Sequence, residues 1–229
     1  MKHWLTDLLN FVFPATCHVC EGKLAPHERF VCTKCLAELP RSGYHRRPLN
    51  PIEERLAGKF PFERATGHFL YNRNAPISTI IQDMKYRHYP GIGQMLGRIA
   101  AEELFPSGFF NDIDVIIPVP MHFIKQAIRG YNQTHHIAKG ISDATGIPVS
   151  LALKAIRPHR TQTSLSHQQR LSNTSDIFSV PDPQEYAGKG ILLVDDVCTT
   201  GSTLCSAGKA ITGSIPSAHV SVFTLGVTF

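Results

Sequence analysis

The sequence predicts an α/β protein with a mainly parallel sheet flanked by helices and a small cysteine-rich unit at its N-terminus. Three observations carry that prediction. Short apolar runs of strand length alternate with segments whose apolar residues recur at helical spacing. The run ILLVDDVCTTGSTL, residues 191–204, passes from four apolar residues into two aspartates and then a hydroxyl-rich turn. Two C-x-x-C pairs lie near the start of the chain.

The chain has 229 residues, of which 42% are hydrophobic and 18% charged, enough apolar content for a sizeable core and too little charge for a disordered chain. Its first segment, MKHWLTDLLNFVFPATC, sets Trp4, Leu5, Leu8, Leu9 and Val12 on one helical face. Asp7 and Asn10 interrupt the apolar stretch, which argues against an export signal, and it is far too short to span a bilayer. A short amphipathic helix is expected, packing on the body or a partner, with peripheral membrane contact as the lesser reading.

Cys17-x-x-Cys20 and Cys32-x-x-Cys35 follow, eleven residues apart. Such pairs turn both thiolates toward one ion and suit a tetrahedral zinc with a structural role, because four thiolates leave no open position. The competing reading is disulfides, which need an oxidising compartment. His18 and His27 are alternative ligands. Cys198 and Cys205 lie far away and read as small buried residues.

Residues 41–60 hold two prolines, two glycines and many charges and read as a linker with one short helix. The domain organisation expected is therefore helix and ribbon over 1–40, linker over 41–60, and the main domain over 61–229. In that domain strands are expected at Ala65–Tyr71, Val115–Val119, Leu151–Ile156, Ile177–Val180, Ile191–Val194 and Ala218–Leu225. Helices are expected at Ile77–Lys85, Ile92–Leu104, Tyr131–Ala144 and Ser202–Thr212. Ligands of such sheets bind beyond the carboxyl ends of the strands. Three loops would gather there: one after Val119, one at 157–175 and one at 195–202.

The charge distribution agrees. From Pro118 to Ser175 there are seven Lys or Arg and one acid, Asp143, a local charge of +6 within a chain of net charge +5. The segment is either a solvated basic face or a surface that meets phosphates.

Thr199, Thr200, Gly201, Ser202 and Thr203 would open the helix after the strand. Free backbone N–H groups, the positive end of the helix dipole and the hydroxyls make that turn a cradle for one phosphate. Asp195 and Asp196 sit only a few residues away, where carboxylates can hold Mg2+ or accept hydrogen bonds from a sugar diol. A phosphorylated ribose satisfies both ends. No P-loop or dinucleotide fingerprint is present.

ILLVDDVCTTGSTL closely resembles the phosphoribosyl pyrophosphate (PRPP) loop of type I phosphoribosyltransferases. The cysteine pairs, MKY at 84–86, PVP at 118–120, RGYNQ at 129–133 and RTQTSLSHQQRLSN at 160–173, followed by Phe178, make the chain similar to the ComF family of late competence proteins over nearly its whole length. The resemblance implies a type I phosphoribosyltransferase-like fold in which Asp195 and Asp196 hold the ribose diol, directly or through Mg2+, and Thr199 to Thr203 hold the 5-phosphate. It implies that Lys125 and Arg129 face pyrophosphate and that Arg157, Arg160 and Arg170 belong to a hood over residues 157–175. Lys85 and Arg87 are further candidates for the anion pocket. The reaction implied is displacement of pyrophosphate from PRPP by an unknown nitrogen acceptor, with structural zinc and Mg2+ as cofactors; the lack of a convincing export signal and the reading of the cysteines as reduced lead to the expectation of a cytoplasmic protein. The alternative is a non-catalytic PRPP sensor, or a single-stranded DNA-binding accessory of DNA uptake working with uptake-machinery proteins, its basic groove edged by Tyr86, Tyr89 and Tyr131.

Overall fold

A computed structural model of the chain describes residues 15–121, 123–156 and 177–228. The expected N-terminal helix and the loop 157–175, with Arg157, Arg160 and Arg170, lie outside the described residues.

Among the described residues the helices are α1 (Thr33–Glu38), α2 (Pro51–Leu56), α3 (Pro76–Tyr86), α4 (Pro90–Leu104), α5 (Phe123–Arg129), α6 (Gln133–Thr145) and α7 (Ser202–Ser214). The strands are β1 (Ala65–Leu70), β2 (Val115–Pro118), β3 (Lys154–Ala155), β4 (Phe178–Ser179), β5 (Gly190–Cys198) and β6 (His219–Val227). Local chemistry sets several helix starts. Proline occupies the first turn of α2, α3 and α4, where its missing N–H costs nothing. Asn50 and Asn132 cap α2 and α6 by accepting from backbone amides of the first turn. Gly146 ends α6 in the left-handed conformation.

Four strands form a parallel sheet in the order β1-β6-β5-β2. Its pleat sorts side chains onto two faces. Leu192 and Val194 of β5, with Ile116 and Phe223, meet α3, α4 and α6 in one core. Ile191 and Leu193, with Val220 and Val222, meet α2 and α7 in the other. Each fully buried aliphatic side chain contributes roughly 1.5–3 kcal/mol. Helices on both faces account for the continuous apolar strands.

α4 and α6 approach closely at two glycines. A Cβ on Gly97 would stand 2.3 Å from the Ile137 carbonyl oxygen, and one on Gly140 would stand 2.0 Å from that of Gln94. The sequence showed a helical apolar period here but not that backbones touch.

Three expectations change. Leu151–Ile156 and Ile177–Val180 do not join the main sheet: β3 and β4 are two residues each and pair antiparallel with each other. Strand β5 does not stop at Val194 but stays paired with β6 as far as Cys198. Residues 41–60 are more than a connection, because Tyr44, Ile52, Leu56 and Phe60 are buried in the second core. The cysteine unit also packs on the body, with Cys17, Val31, Cys35 and Leu39 in the first core.

Candidate active site and cysteine cluster

The pairing of β2 with β5 ends at Pro118 opposite Val194, while β5 continues beside β6 for four more residues. On the β2 side, Asp195 and Asp196 therefore have no neighbouring strand. The chain leaving β2 reaches α6 in the first core, whereas β5 leads to α7 in the second. Connections that part to opposite faces open a crevice at the strand ends.

A cavity of about 240 Å3 fills that crevice. Lys85, Arg129, Asn132, Gln133, Thr134, Asp195, Asp196 and Thr203 supply its polar lining. A smaller hollow at the start of α7 is lined by Thr199, Gly201, Ser202 and Thr203 together with Asp195. Asp195, Val197 and Thr203 line both spaces.

Gly201 sits at φ 74° and no side chain caps α7 through it. Only glycine takes that backbone conformation without strain. Beyond Ser202, the first-turn amides of Thr203 and Leu204 have no intrahelical acceptor, and the helix dipole stands behind them. Thr200 plays a different part from its neighbours: its hydroxyl accepts from Ser202 N at 3.4 Å, and it does not line the hollow.

The two aspartates differ. Asp196 Oδ2 receives Lys85 Nζ at 2.8 Å and Gln133 Nε2 at 2.7 Å, while its Oδ1 accepts from Val197 N at 2.6 Å. Among the described residues, Asp195 accepts only from Asp196 N, at 2.8 Å. Burial, and then the charge of Asp196, raise the Asp195 carboxyl to about 7.

Arg129 lies with its guanidinium 4.9 Å from the Tyr86 ring centre and donates to Tyr86 Oη at 3.3 Å. Lys125 falls on α5. Arg87 does not join the cavity; its Nε pairs with Asp83 at 3.1 Å because the two stand one helical turn apart. The three tyrosines are not equivalent ring platforms. Tyr89 packs edge-on to His18 and Phe30, Tyr131 donates to the Met84 carbonyl, and Tyr86, 65% exposed, carries Arg129 over its ring.

Gln133 and Asn132 went without a role in the sequence reading although both stand in RGYNQ. The signal was a cluster of polar residues just before a helix, which caps explain equally well. Asn132 is such a cap, while Gln133 is buried against Asp196.

The four cysteine sulfurs lie within 4.8 Å of one another and could hold a metal ion. Metal–sulfur bonds of about 2.3 Å place tetrahedral sulfurs about 3.8 Å apart, and Cys20 and Cys32 are 3.8 Å apart. Backbone amides of Val19 and Cys32 point at Cys17 Sγ. Burial opposes ionisation of that thiol, but these amides and the Cys20 groups outweigh it and lower it to about 6. Cys35 is shifted upward by burial and its neighbouring thiols. A cation among the four sulfurs would relieve that crowding. His18 is turned away, with Nδ1 2.5 Å from Asp83 Oδ2.

Residues 86–223 match the family model described as the phosphoribosyl transferase domain. The chain belongs to the phosphoribosyl transferase domain family. Its cysteine cluster and Lys85 lie upstream of the matched span. The chain is 28% identical to Competence protein F of Haemophilus influenzae, over 89% of its own length and 93% of the relative's. It is 24% identical to DNA utilization protein YhgH of Salmonella typhi over 86% of its length and 91% of the relative's. Competence protein ComFC of Bacillus subtilis matches at 29% over 48% of this chain and 43% of its own. The resemblance to the ComF family read from the motifs is borne out by these relatives.

Proposed function

We propose that the protein binds PRPP in the crevice at the end of β5 and transfers its phosphoribosyl group to a nitrogen acceptor, releasing pyrophosphate. The observation that carries this reading is the pair of adjoining spaces that share Asp195 and Thr203. An anion cradle lies on one side, and a cavity lined by Lys85 and Arg129 on the other. A ribose bearing a 5-phosphate and a 1-pyrophosphate has that order of charge, with its diol in between.

In this reading Gly201, Ser202 and Thr203 hold the 5-phosphate through backbone amides and hydroxyls, with Thr199 and Thr200 shaping the turn. Asp195 accepts from the diol, and Asp196 holds Lys85 in place beside it. The C1–O bond to pyrophosphate breaks with its electron pair leaving on oxygen. The acceptor nitrogen gives its lone pair to C1 and then loses a proton. Positive charge on C1 grows in the transition state, so alignment and fixed charges do most of the work. Arg129 and Lys125 stabilise the departing pyrophosphate, joined by Arg157, Arg160 and Arg170. Mg2+, when bound to PRPP, would add positive charge at the same place; the half-buried Asp195 carboxylate is the group suited to approach it.

The cysteine cluster, in this reading, holds zinc: four thiols in a tetrahedral spacing suit that ion, and they leave no open position for chemistry. The names of the relatives support a place in DNA uptake or DNA utilisation. None of the six cysteines is joined in a disulfide, which accords with a cytoplasmic setting. Among the described residues no helix is long and apolar enough to cross a membrane.

Incubation with PRPP, Mg2+ and a panel of nucleobases and amines should release pyrophosphate with one acceptor class. Calorimetry should show PRPP binding that is weakened at least tenfold in the Asp195→Asn, Asp196→Asn double variant. Equal affinity in the two proteins would overturn the site assignment; binding without turnover would identify a PRPP sensor.

A further inference from the structure

Gln133 is 6% exposed, yet it lines the 240 Å3 cavity. Its two amide ends are not interchangeable. Asp196 Oδ2 already receives Lys85, and a carboxylate can only accept, so the amide end 2.7 Å away must be the NH2 group. Turning the amide over would set two lone-pair oxygens against each other. The carbonyl, Oε1, is thereby left facing elsewhere. It is buried and has no hydrogen-bond partner among the described residues. A buried acceptor left unpaired costs free energy, so such groups almost always have a partner.

We infer that Gln133 Oε1 is a specificity-determining acceptor that takes a hydrogen bond from one of the two ring hydroxyls of the bound ribose phosphate. The inference rests on the proposed PRPP site. Asp195 and Gln133 then present two acceptors to one cavity, and a vicinal diol presents two donors. Asp196 acts behind them, gripping the Gln133 amide and the Lys85 ammonium so that neither turns. Gln133 starts α6 directly after its Asn132 cap, which fixes the backbone from which the amide reaches inward. A sugar lacking the hydroxyl that is read leaves Oε1 dry and unpaired, and is rejected for that reason.

The test is calorimetric titration of the full chain with PRPP, ribose 5-phosphate, 2-deoxyribose 5-phosphate and 3-deoxyribose 5-phosphate, each with and without Mg2+. Wild type should bind one of the two deoxy sugars about tenfold more weakly than ribose 5-phosphate. Gln133→Met, which has similar size and no acceptor, should lose that discrimination. Gln133→Lys, which keeps a donor for Asp196 and lacks the carbonyl, should lose it too, and either folded variant suffices. Wild type that binds ribose 5-phosphate and both deoxy forms equally overturns the inference alone. So does a folded variant that still discriminates against that same deoxy sugar, or a variant whose only change is its response to Mg2+. Wild type that binds neither PRPP nor ribose 5-phosphate overturns the phosphoribosyl reading as well.

Discussion

His18 Nδ1 lies 2.5 Å from Asp83 Oδ2 and ties the cysteine cluster to helix α3. Two residues on, the same helix carries Lys85, which reaches Asp196. His18 sits between Cys17 and Cys20, so the cluster and the candidate site share one short run of contacts. Removing the imidazole should leave Asp83, only 5% exposed, with Arg87 as its remaining charged partner. His18→Ala should cost about 2 kcal/mol, read as a loss of roughly 4–8 °C in the thermal midpoint. Metal analysis should find bound metal unchanged in His18→Ala and lost in Cys20→Ser. Loss of metal in the histidine variant would show that His18 is a ligand.

Lys85 and Asp196 are both mostly shielded from water, their side chains 19% and 11% exposed. An ion pair broken from one side in such a place leaves a charge without compensation. Lys85→Met should therefore destabilise the fold by about 3 kcal/mol, measured by urea unfolding. Asp196→Asn, Lys85→Met together should cost less than the sum of the two single changes. Additive losses would mean the contact carries no energy.

The Asp195 carboxyl, raised to about 7 by burial and by Asp196, gives a pH signature. Between about pH 4 and pH 7 the folded chain keeps a proton that the unfolded chain has released. Its contribution is thus fully present below the ordinary carboxylate range and is lost as pH rises through about 7. Asp195→Asn, which stays neutral, should raise the thermal midpoint above wild type at about pH 8 and converge with it near pH 4. A stabilisation that does not change with pH would show that Asp195 is ionised throughout.

Glycine at 97 is required by space. Gly97→Ala should cost about 3 kcal/mol, because the new Cβ meets a backbone carbonyl that cannot step aside. Gly213 in α7 has nothing within 4 Å of such a Cβ. Gly213→Ala should be neutral or stabilising by about 0.5 kcal/mol. Chemical denaturation of the two variants distinguishes a packing requirement from a general intolerance of side chains.

The sequence by itself determined the α/β class, the parallel core strand at Ile191–Val194, the hydroxyl-rich turn at 199–203 that opens a helix and the tetrad Cys17, Cys20, Cys32 and Cys35. Each is a local pattern: apolar period, turn chemistry and ligand spacing all act over a few residues. Only the tertiary structure decided that Asp196 is held by Lys85 and Gln133, from helices 111 and 63 positions away in the chain, while Asp195 stays open to the cavity. It also decided that Arg87 turns to Asp83, that His18 joins the body instead of the cysteines, and that β3 and β4 leave the main sheet. Those outcomes depend on which segments the packed sheet brings side by side. A carboxylate looks the same in the sequence whether it meets a lysine or a ligand, and only burial and distance separate the two.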